Sequence, residues 1–332
     1  MSVSEENTKT VVFAPLNWGL GHASRCIPLI NKYKNEGWRV IIASDGFALE
    51  FLKNEFPQEK TFSIPSKELT YSKYKALIFH LFKLLPNFLS NIKTDRRFVN
   101  ELLQKEKVDL IVSDNRYGFR TSKVKSILIS HQLQLAIPTY LRITKGLVQR
   151  KLNRWINKFD ECWIMDDDNH SLAGDLSNEK DLKIPYHFLG LQSRFEKKNL
   201  EEDIDFLIVL SGLEPQRSIL ESELLNLFKN LNYKVKLIGG AFKSKKTGSD
   251  IEYLPFANTK ELQMLLNKAK IVIARSGYST IMDLIKLNKK AILIPTPGQT
   301  EQEYLSNLHV NRSLFTILDN KISLINIQEI EL

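Results

Sequence analysis

Residues Ile271 to Asn307 restrict the fold more tightly than any other stretch. An apolar run, Ile271-Val272-Ile273-Ala274, leads into the small-residue turn Arg275-Ser276-Gly277-Tyr278-Ser279-Thr280 and a helix from Ile281 to Leu287. A second apolar run, Ala291 to Ile294, is followed by Pro295-Thr296-Pro297-Gly298-Gln299-Thr300-Glu301-Gln302. The order is strand, tight loop, helix, strand, polar loop. In a parallel sheet such a unit opens a ligand crevice at the carboxyl ends of its strands. Ser276, Gly277, Ser279 and Thr280 fall at the helix start, where free backbone N–H groups and small hydroxyls suit an anion, usually phosphate. Asp283, one turn in, is within reach of a ribose hydroxyl. An ordinary capped strand–helix connection has the same local pattern; the second polar loop one strand later argues for a binding site.

The same logic recurs along the chain. Val11 to Ala14 reads as a short buried strand. The loop Pro15-Leu16-Asn17-Trp18-Gly19-Leu20-Gly21-His22 follows, then a helix to about Glu36, which Gly37 ends, and a strand from Arg39 to Ala43. The full dinucleotide fingerprint needs a third glycine where Ser24 stands, which argues against a nicotinamide site. His22 and Arg25 instead stand at the helix start beside the crevice. Val108 to Val112 is a strand ending in Ser113-Asp114-Asn115-Arg116-Tyr117-Gly118, and Ser126 to Ser130 another ending in His131-Gln132. In a parallel sheet Asp114 and His131 share an edge with His22, so all three are candidate acid–base or acceptor-site groups, although either of the former can simply cap a helix. Asp166-Asp167-Asp168 resembles a metal-binding Asp-x-Asp, but with no second ligand cluster an exposed turn is expected.

From Phe206 to Leu210 a second series of strands begins. Its loop, Ser211 to Arg217, precedes a helix from Ser218 to Asn230 and again places small residues and a cation at a helix start. Val235 to Ile238 and Glu252 to Leu254 are further strands, and Glu261 to Ala269 a helix. Two alternating series indicate two doubly wound α/β domains. We expect them at residues 1–198 and 203–332, joined by the charged stretch Glu196 to Asp205. The tail from Ile322 to Leu332 has no assignable role.

Composition narrows the classes. At 332 residues, with two cysteines, the chain cannot carry a disulfide framework or a thiolate metal cluster. With a polar, acidic start and no apolar run near the roughly 20 residues that span a bilayer, a cytoplasmic protein is expected. The net charge of +9 is uneven: residues 71–160 hold 18 Lys+Arg against 6 Asp+Glu. Such a region attracts nucleic acid, anionic lipid or anionic substrates. Within it Lys73, Lys75, Lys83, Lys93, Arg96 and Arg97 accompany an apolar helical run from Ala76 to Leu85, which Pro86 is expected to interrupt. The run reads either as a core-facing helix with a solvated side or as a surface resting on anionic lipid. It contains no recognisable nucleic-acid module, so no nucleic-acid partner is expected.

Together these segments resemble the GT-B glycosyltransferases, and within them family 28. The resemblance rests on Gly19-Leu20-Gly21-His22, Ser211-Gly212, Arg275-Ser276-Gly277 with Thr280 and Asp283, and the loop through Gln299 and Gln302; it runs from Val11 to Asn307. It implies two Rossmann-like domains facing across a cleft, the second holding a UDP-sugar and the first a hydroxyl acceptor, either lipid-linked or a cell-envelope glycan. By the same resemblance Ser211, Gly212, Arg217, Ser276 and Gly277 cradle the diphosphate, and the backbone around Leu254 to Phe256 meets the base. Gln299, Glu301 and Gln302 touch sugar or ribose hydroxyls, and Asp283 binds ribose where family members often carry glutamate. Gly21, Arg25, Arg275 and Thr280 complete the expected donor set. Family members often place Asn four residues after the loop Gln; here Ser306 stands at that spacing and Asn307 follows. The implied reaction is metal- and cofactor-independent, inverting transfer with His22 as first-choice base, ahead of Asp114 and His131.

Two rivals remain. Gly19-Leu20-Gly21-His22-Ala23-Ser24-Arg25 also looks like the loop of the UDP-sugar hydrolase of pseudaminic acid synthesis, where the histidine activates water. A non-catalytic nucleotide-sugar or nucleic-acid binder is the alternative of another class.

Overall fold

The computed structural model describes residues 8–67, 77–137, 142–212, 214–229, 231–240 and 251–318. The chain divides between Gln192 and Ser193 into two compact units.

In the first unit the elements are β1 (Thr10–Pro15), α1 (Gly21–Asn35), β2 (Arg39–Ser44), α2 (Gly46–Glu55), β3 (Lys60–Ser63), α3 (Leu77–Lys105), β4 (Leu110–Asp114), β5 (Lys125–Ser130), α4 (Arg142–Ile156), β6 (Glu161–Ile164) and β7 (Tyr186–Phe188). The strands pair in parallel in the order β3-β2-β1-β4-β5-β6-β7. Central strands covered on both faces must be apolar throughout, and Val11, Val12, Phe13 and Ala14 are all fully buried. Strand order reverses between β1 and β4, so the crevice of this unit opens there. The end of β1 and the start of α1 flank it on one side, and the end of β4 on the other.

The second unit holds β8 (Ile204–Val209), α5 (Gln216–Phe228), β9 (Val235–Ile238), β10 (Glu252–Leu254), α6 (Thr259–Lys268), β11 (Ala269–Ala274), α7 (Tyr278–Leu287), β12 (Ala291–Leu293), α8 (Thr300–His309) and β13 (Phe315–Ile317). Its parallel order is β10-β9-β8-β11-β12-β13, with the reversal between β8 and β11. The loops containing Ser211-Gly212 and Ser276-Gly277 leave those two strands. Phe206, Ile208, Ile271, Ile273 and Ile292 pack with Leu220 and Leu224 of α5 into one core. Ser193 to Lys198 runs along α6: Glu196 N–H donates to Gln263 Oε1 at 2.9 Å and Lys198 N–H to Asn267 Oδ1 at 2.7 Å.

Three local expectations are corrected. Pro86 does not interrupt its helix; α3 runs through it for 29 residues. A proline inside a helix costs about 3 kcal/mol, and the packing of the turns beyond it offsets that. Ile92, Val99 and Leu102 are buried along one face of α3, and the same face carries Asp95, at 3% exposure. The Asp166–Asp168 turn is not simply exposed. Asp166 is fully buried and accepts from the Leu172 and Ala173 N–H groups, both at 2.9 Å, and from Ser177 Oγ at 2.6 Å. Those contacts make it a loop-organising carboxylate, while Asp167 accepts from Ser171 N–H at 2.9 Å. Finally, Thr300, Glu301 and Gln302 lie in the first turn of α8, not in a loop. Lys73, Lys75, the side chains of 77–85 and the tail 322–332 lie outside the described residues.

Candidate active site

In the first unit α1 starts at Gly21, directly after a loop that Gly19 turns with φ +73°. That start places His22 and Arg25, one helical turn apart, toward the end of β4. His22 Nδ1 lies 2.9 Å from Asp114 Oδ1, and Arg25 Nε donates to Asp114 Oδ2 at 2.6 Å. Arg25 Nη2 also donates to Asp114 Oδ1, and Arg25 Nη1 lies 2.7 Å from His131 Nδ1. Arg25 Nη2 is 2.7 Å from His22 Nδ1 as well. A single ring nitrogen cannot both donate to the carboxylate and accept from the guanidinium. The carboxylate is the stronger acceptor, so Nδ1 carries the proton and donates to Asp114. The lone pair of His22 then sits on Nε2, while Arg25 acts on the ring through its charge.

Exposure separates the roles. The His22 side chain is 14% exposed and Asp114 not at all; Arg25 and His131 are each 4% exposed. Of the four, His22 is the one open to a substrate. Burial, followed by the charge of Arg25, pushes its imidazole below the ordinary value; Asp114 opposes without prevailing. Burial alone would raise Asp114, but the charges of Arg25 and His22 and their hydrogen bonds hold it well below the ordinary carboxylate range. Asp114 is therefore an orienting carboxylate and a poor base, which corrects its standing as an alternative to His22. Arg25, expected at the donor, is a buried counter-ion to Asp114, and His131 sits behind it.

A second buried group two residues on was not expected. Arg116, 2% exposed, donates from Nη1 to Asp45 Oδ1 at 2.5 Å, from Nη2 to Asp95 Oδ1 at 2.6 Å and from Nη2 to Ser66 Oγ at 2.7 Å. Asn17 joins the cluster by donating from Nδ2 to Asp45 Oδ2 at 3.4 Å and accepting from Ala48 N–H at 3.2 Å. The cluster ties the ends of β1, β2 and β4 to the loop after β3. The sequence signal for it is Asp95, an acid within the apolar face of α3.

In the second unit two expected phosphate ligands are committed elsewhere. Arg217 donates from Nη1 to Glu221 Oε2 at 2.8 Å and to the Gly239 carbonyl at 2.7 Å, and pairs with Glu214 through Nη2. It braces α5 against the end of β9. Arg275, 3% exposed, donates to the carbonyls of Pro295 at 3.0 Å, Ile294 at 3.3 Å and Gln216 at 3.1 Å. It thereby fastens together the loops leaving β8, β11 and β12. Burial lowers its guanidinium to about 10, with Glu223 opposing.

The other expected donor residues divide likewise. Ser276 is fully buried and its hydroxyl donates to the Gln302 carbonyl at 3.0 Å. Gln302 Oε1 accepts from Thr296 N–H at 2.8 Å and its Nε2 donates to Gln299 Oε1 at 2.5 Å. These contacts shape the Pro295–Gln299 loop. Gly277 is the N-cap of α7, in extended backbone. Ser211 and Gly212, the latter at φ +100°, are exposed at the end of β8. Gly21, Phe256, Thr280, Gln299 and Glu301 are half-buried. Asp283 Oδ1 accepts from Ser193 Oγ at 2.6 Å. Burial pushes the Asp283 carboxyl up to about 6, with Arg194 and the Ser193 hydrogen bond opposing. Ser193 carried no signal as a site residue, since its partner lies 90 positions away.

Comparison with known proteins converges on this architecture. Residues 216–312 match the glycosyltransferase family 28 C-terminal domain, the part of the chain that carries α5, α7 and α8. The chain is 21% identical over 281 residues to the UDP-N-acetylglucosamine–N-acetylmuramyl-(pentapeptide) pyrophosphoryl-undecaprenol N-acetylglucosamine transferase of Bacillus cytotoxicus, covering 77% of this chain and 70% of that enzyme. It is 22% identical to the Lactobacillus helveticus enzyme of the same name over 68% of this chain, spanning 63% of the relative, less than two thirds of its length. Among solved structures, the glycotransferase of kitacinnamycin superposes with a TM-score of 0.64 at 14% identity, covering 97% of this chain and 89% of that one. The MurG of Acinetobacter baumannii does so with a TM-score of 0.53 at 12% identity, covering 96% and 88%. At those identities the structural likenesses speak to fold alone, and the expected pair of parallel α/β units is the one observed. Residues 216–312, in the second unit, thus carry the glycosyltransferase family 28 C-terminal domain, in a chain whose two parallel α/β units have the fold of the GT-B glycosyltransferases.

Proposed function

We propose that the enzyme moves a sugar from a UDP-sugar to a hydroxyl acceptor without a metal, inverting the anomeric centre. The observation that carries the reading is the partly open His22 held on the fully buried Asp114 at the crevice of the first unit. The UDP class rests on the relatives, whose names specify UDP-N-acetylglucosamine. His22 Nε2 takes the acceptor hydroxyl proton as that oxygen attacks the anomeric carbon, and the bond to the diphosphate breaks with UDP as the leaving group. Asp114 stabilises the imidazolium that forms. The start of α7 at Gly277 and the β8 loop at Ser211-Gly212 supply backbone N–H groups and helix-dipole charge for the departing diphosphate. With Arg217 and Arg275 engaged in the scaffold, this assignment places the charge stabilisation on backbone. The half-buried Phe256, Thr280, Gln299 and Glu301 line the donor side in this reading, and the first unit takes the acceptor.

The test is a thermal-shift series with nucleotides and nucleotide-sugars, followed by donor turnover with and without acceptor. UDP-linked ligands at 100 times Kd should add about 2.7 kcal/mol of stability, read as a shift of several degrees that ADP- and GDP-linked compounds do not give. Donor should stay largely intact until an acceptor is supplied. Rapid release of free sugar from donor alone would instead assign the hydrolase chemistry.

The acceptor is proposed to be lipid-linked, reached by an enzyme resting on the inner face of a membrane. No described helix is long and apolar enough to cross one. On α4, Leu147 is 71% and Val148 46% exposed. Lys145, Arg150, Lys151 and Arg154 are exposed around them, with no acid in the helix. Apolar side chains ringed by cations suit a surface of anionic lipid. The chain should co-sediment with phosphatidylglycerol vesicles at low salt and release as salt rises, and Leu147→Asp should weaken the binding. Equal recovery on neutral vesicles, or indifference to that substitution, would refute the contact.

A further inference from the structure

We propose that Ser193 is a positioning residue of the nucleotide site, its hydroxyl fixing one oxygen of Asp283 so that the other meets the ribose diol. The proposal rests on the nucleotide reading of the second unit. Asp283 projects from α7 six residues after the Gly277 cap. A carboxylate offers two oxygens and about four lone-pair directions, so a partner on one oxygen leaves the other for a ligand. Ser193 Oγ takes the first at 2.6 Å and in turn accepts from Phe195 N–H at 3.1 Å. The hydroxyl is thus polarised from behind and its direction is set.

The segment that carries Ser193 is itself anchored. Phe195 is 1% exposed, with the Arg194 guanidinium 4.7 Å from its ring centre. Arg194 Nη1 donates to Thr259 Oγ1 at 3.0 Å, and Asn267 Nδ2 donates to the Glu196 carbonyl at 3.1 Å. An Asp reaches one methylene less far than a Glu from the same helix position, so its aim depends more on what holds it. A serine strapped to α6 supplies that hold from outside α7. Arg194, in the same segment, is the charged group acting on Asp283. It favours the carboxylate against burial.

The test measures binding of UDP and of 2′,3′-dideoxy-UDP to the full chain by calorimetry, for the wild type, Ser193→Ala and Ser193→Thr. Ser193→Ala should weaken UDP about tenfold, the cost of one hydrogen bond to a charged group. Binding of dideoxy-UDP, already weaker in the wild type, should not change with that substitution. Ser193→Thr should recover most of the loss. Removing a hydrogen bond that favours the carboxylate also moves its loss to higher pH. UDP affinity of the wild type should fall as pH drops through about 6, the Asp283 value, and that of Ser193→Ala should fall from a higher pH. The dideoxy compound, with the same phosphates, reports phosphate titration alone. Equal weakening of both ligands, or wild-type affinity for both, would overturn the role of Ser193 and leave the nucleotide site standing. A wild type that binds neither would overturn the nucleotide site and this role together.

Discussion

His22→Ala should lower turnover by about 10²- to 10⁴-fold, the usual contribution of a positioned general base, with UDP affinity unchanged. The side chain belongs to the first unit, whereas the diphosphate and ribose contacts assigned above belong to the second. His22→Gln is the finer probe, because an amide can occupy similar space without taking a proton. Asp114→Asn should give an intermediate loss, since the amide no longer fixes the imidazole proton on Nδ1. The wild-type rate should fall on its acid side at a pH below the ordinary imidazole value near 6.5, because burial and Arg25 both favour the neutral ring. A neutral base is lost as pH falls through its pKa, so a lowered pKa extends activity toward acid. Activity of His22→Ala within a few-fold of wild type would remove His22 from the mechanism.

Arg116→Met should be the most damaging single change to the stability of the first unit. It leaves Asp95, at 3% exposure, buried beside Asp45 with no cation between them. Breaking a buried pair by removing one partner costs about 3–5 kcal/mol, or roughly 6–20 °C in Tm for a unit of this size. Burial already raises the Asp95 carboxyl, with Arg116 opposing and Asp45 adding to the rise. A carboxyl whose folded-state pKa is raised favours the folded state below its unfolded value and loses that contribution as pH rises through the folded one. Losing Arg116 raises it further, so the Tm deficit should be largest at neutral pH and narrow as pH falls toward 5. Adding Asp95→Asn to Arg116→Met should recover part of the loss. A deficit of the same size at pH 7 and pH 5 would show that Arg116 acts by packing alone.

Much of the architecture was legible because periodicity and turn chemistry are local. The runs Val11–Ala14, Phe206–Leu210 and Ile271–Ala274 are continuous and apolar, as strands buried on both faces must be. The small residues after each marked the helix starts, and the alternation gave two parallel units. Even within that local signal, Pro86 misled, because the propensity of one residue is small beside the packing of the 29-residue helix around it.

Candidate site residues divide by whether their partners could be anticipated. His22, Asp114 and His131 were placed together correctly, since all three follow strands of one parallel sheet at its carboxyl edge. Their roles were not separable from sequence. Asp114 and His22 are alike as titratable groups until the Arg25 guanidinium lies against both oxygens of the carboxylate and burial closes over it. Arg217 and Arg275 read as phosphate ligands because a cation at a helix start is a sound local cue. The Glu221 carboxylate and the carbonyls of Gly239, Pro295, Ile294 and Gln216 had already engaged them.

What sequence alone determined, then, is the pair of doubly wound units and the edge on which each chemistry-bearing residue stands, because these follow from contacts between near neighbours in the chain. Which of those residues remain open to a ligand was decided by tertiary structure alone. Arg116 meets Asp45 across 71 residues and Asp283 meets Ser193 across 90. The charge and burial that set a side chain's availability come from such distant partners, and no local pattern encodes them.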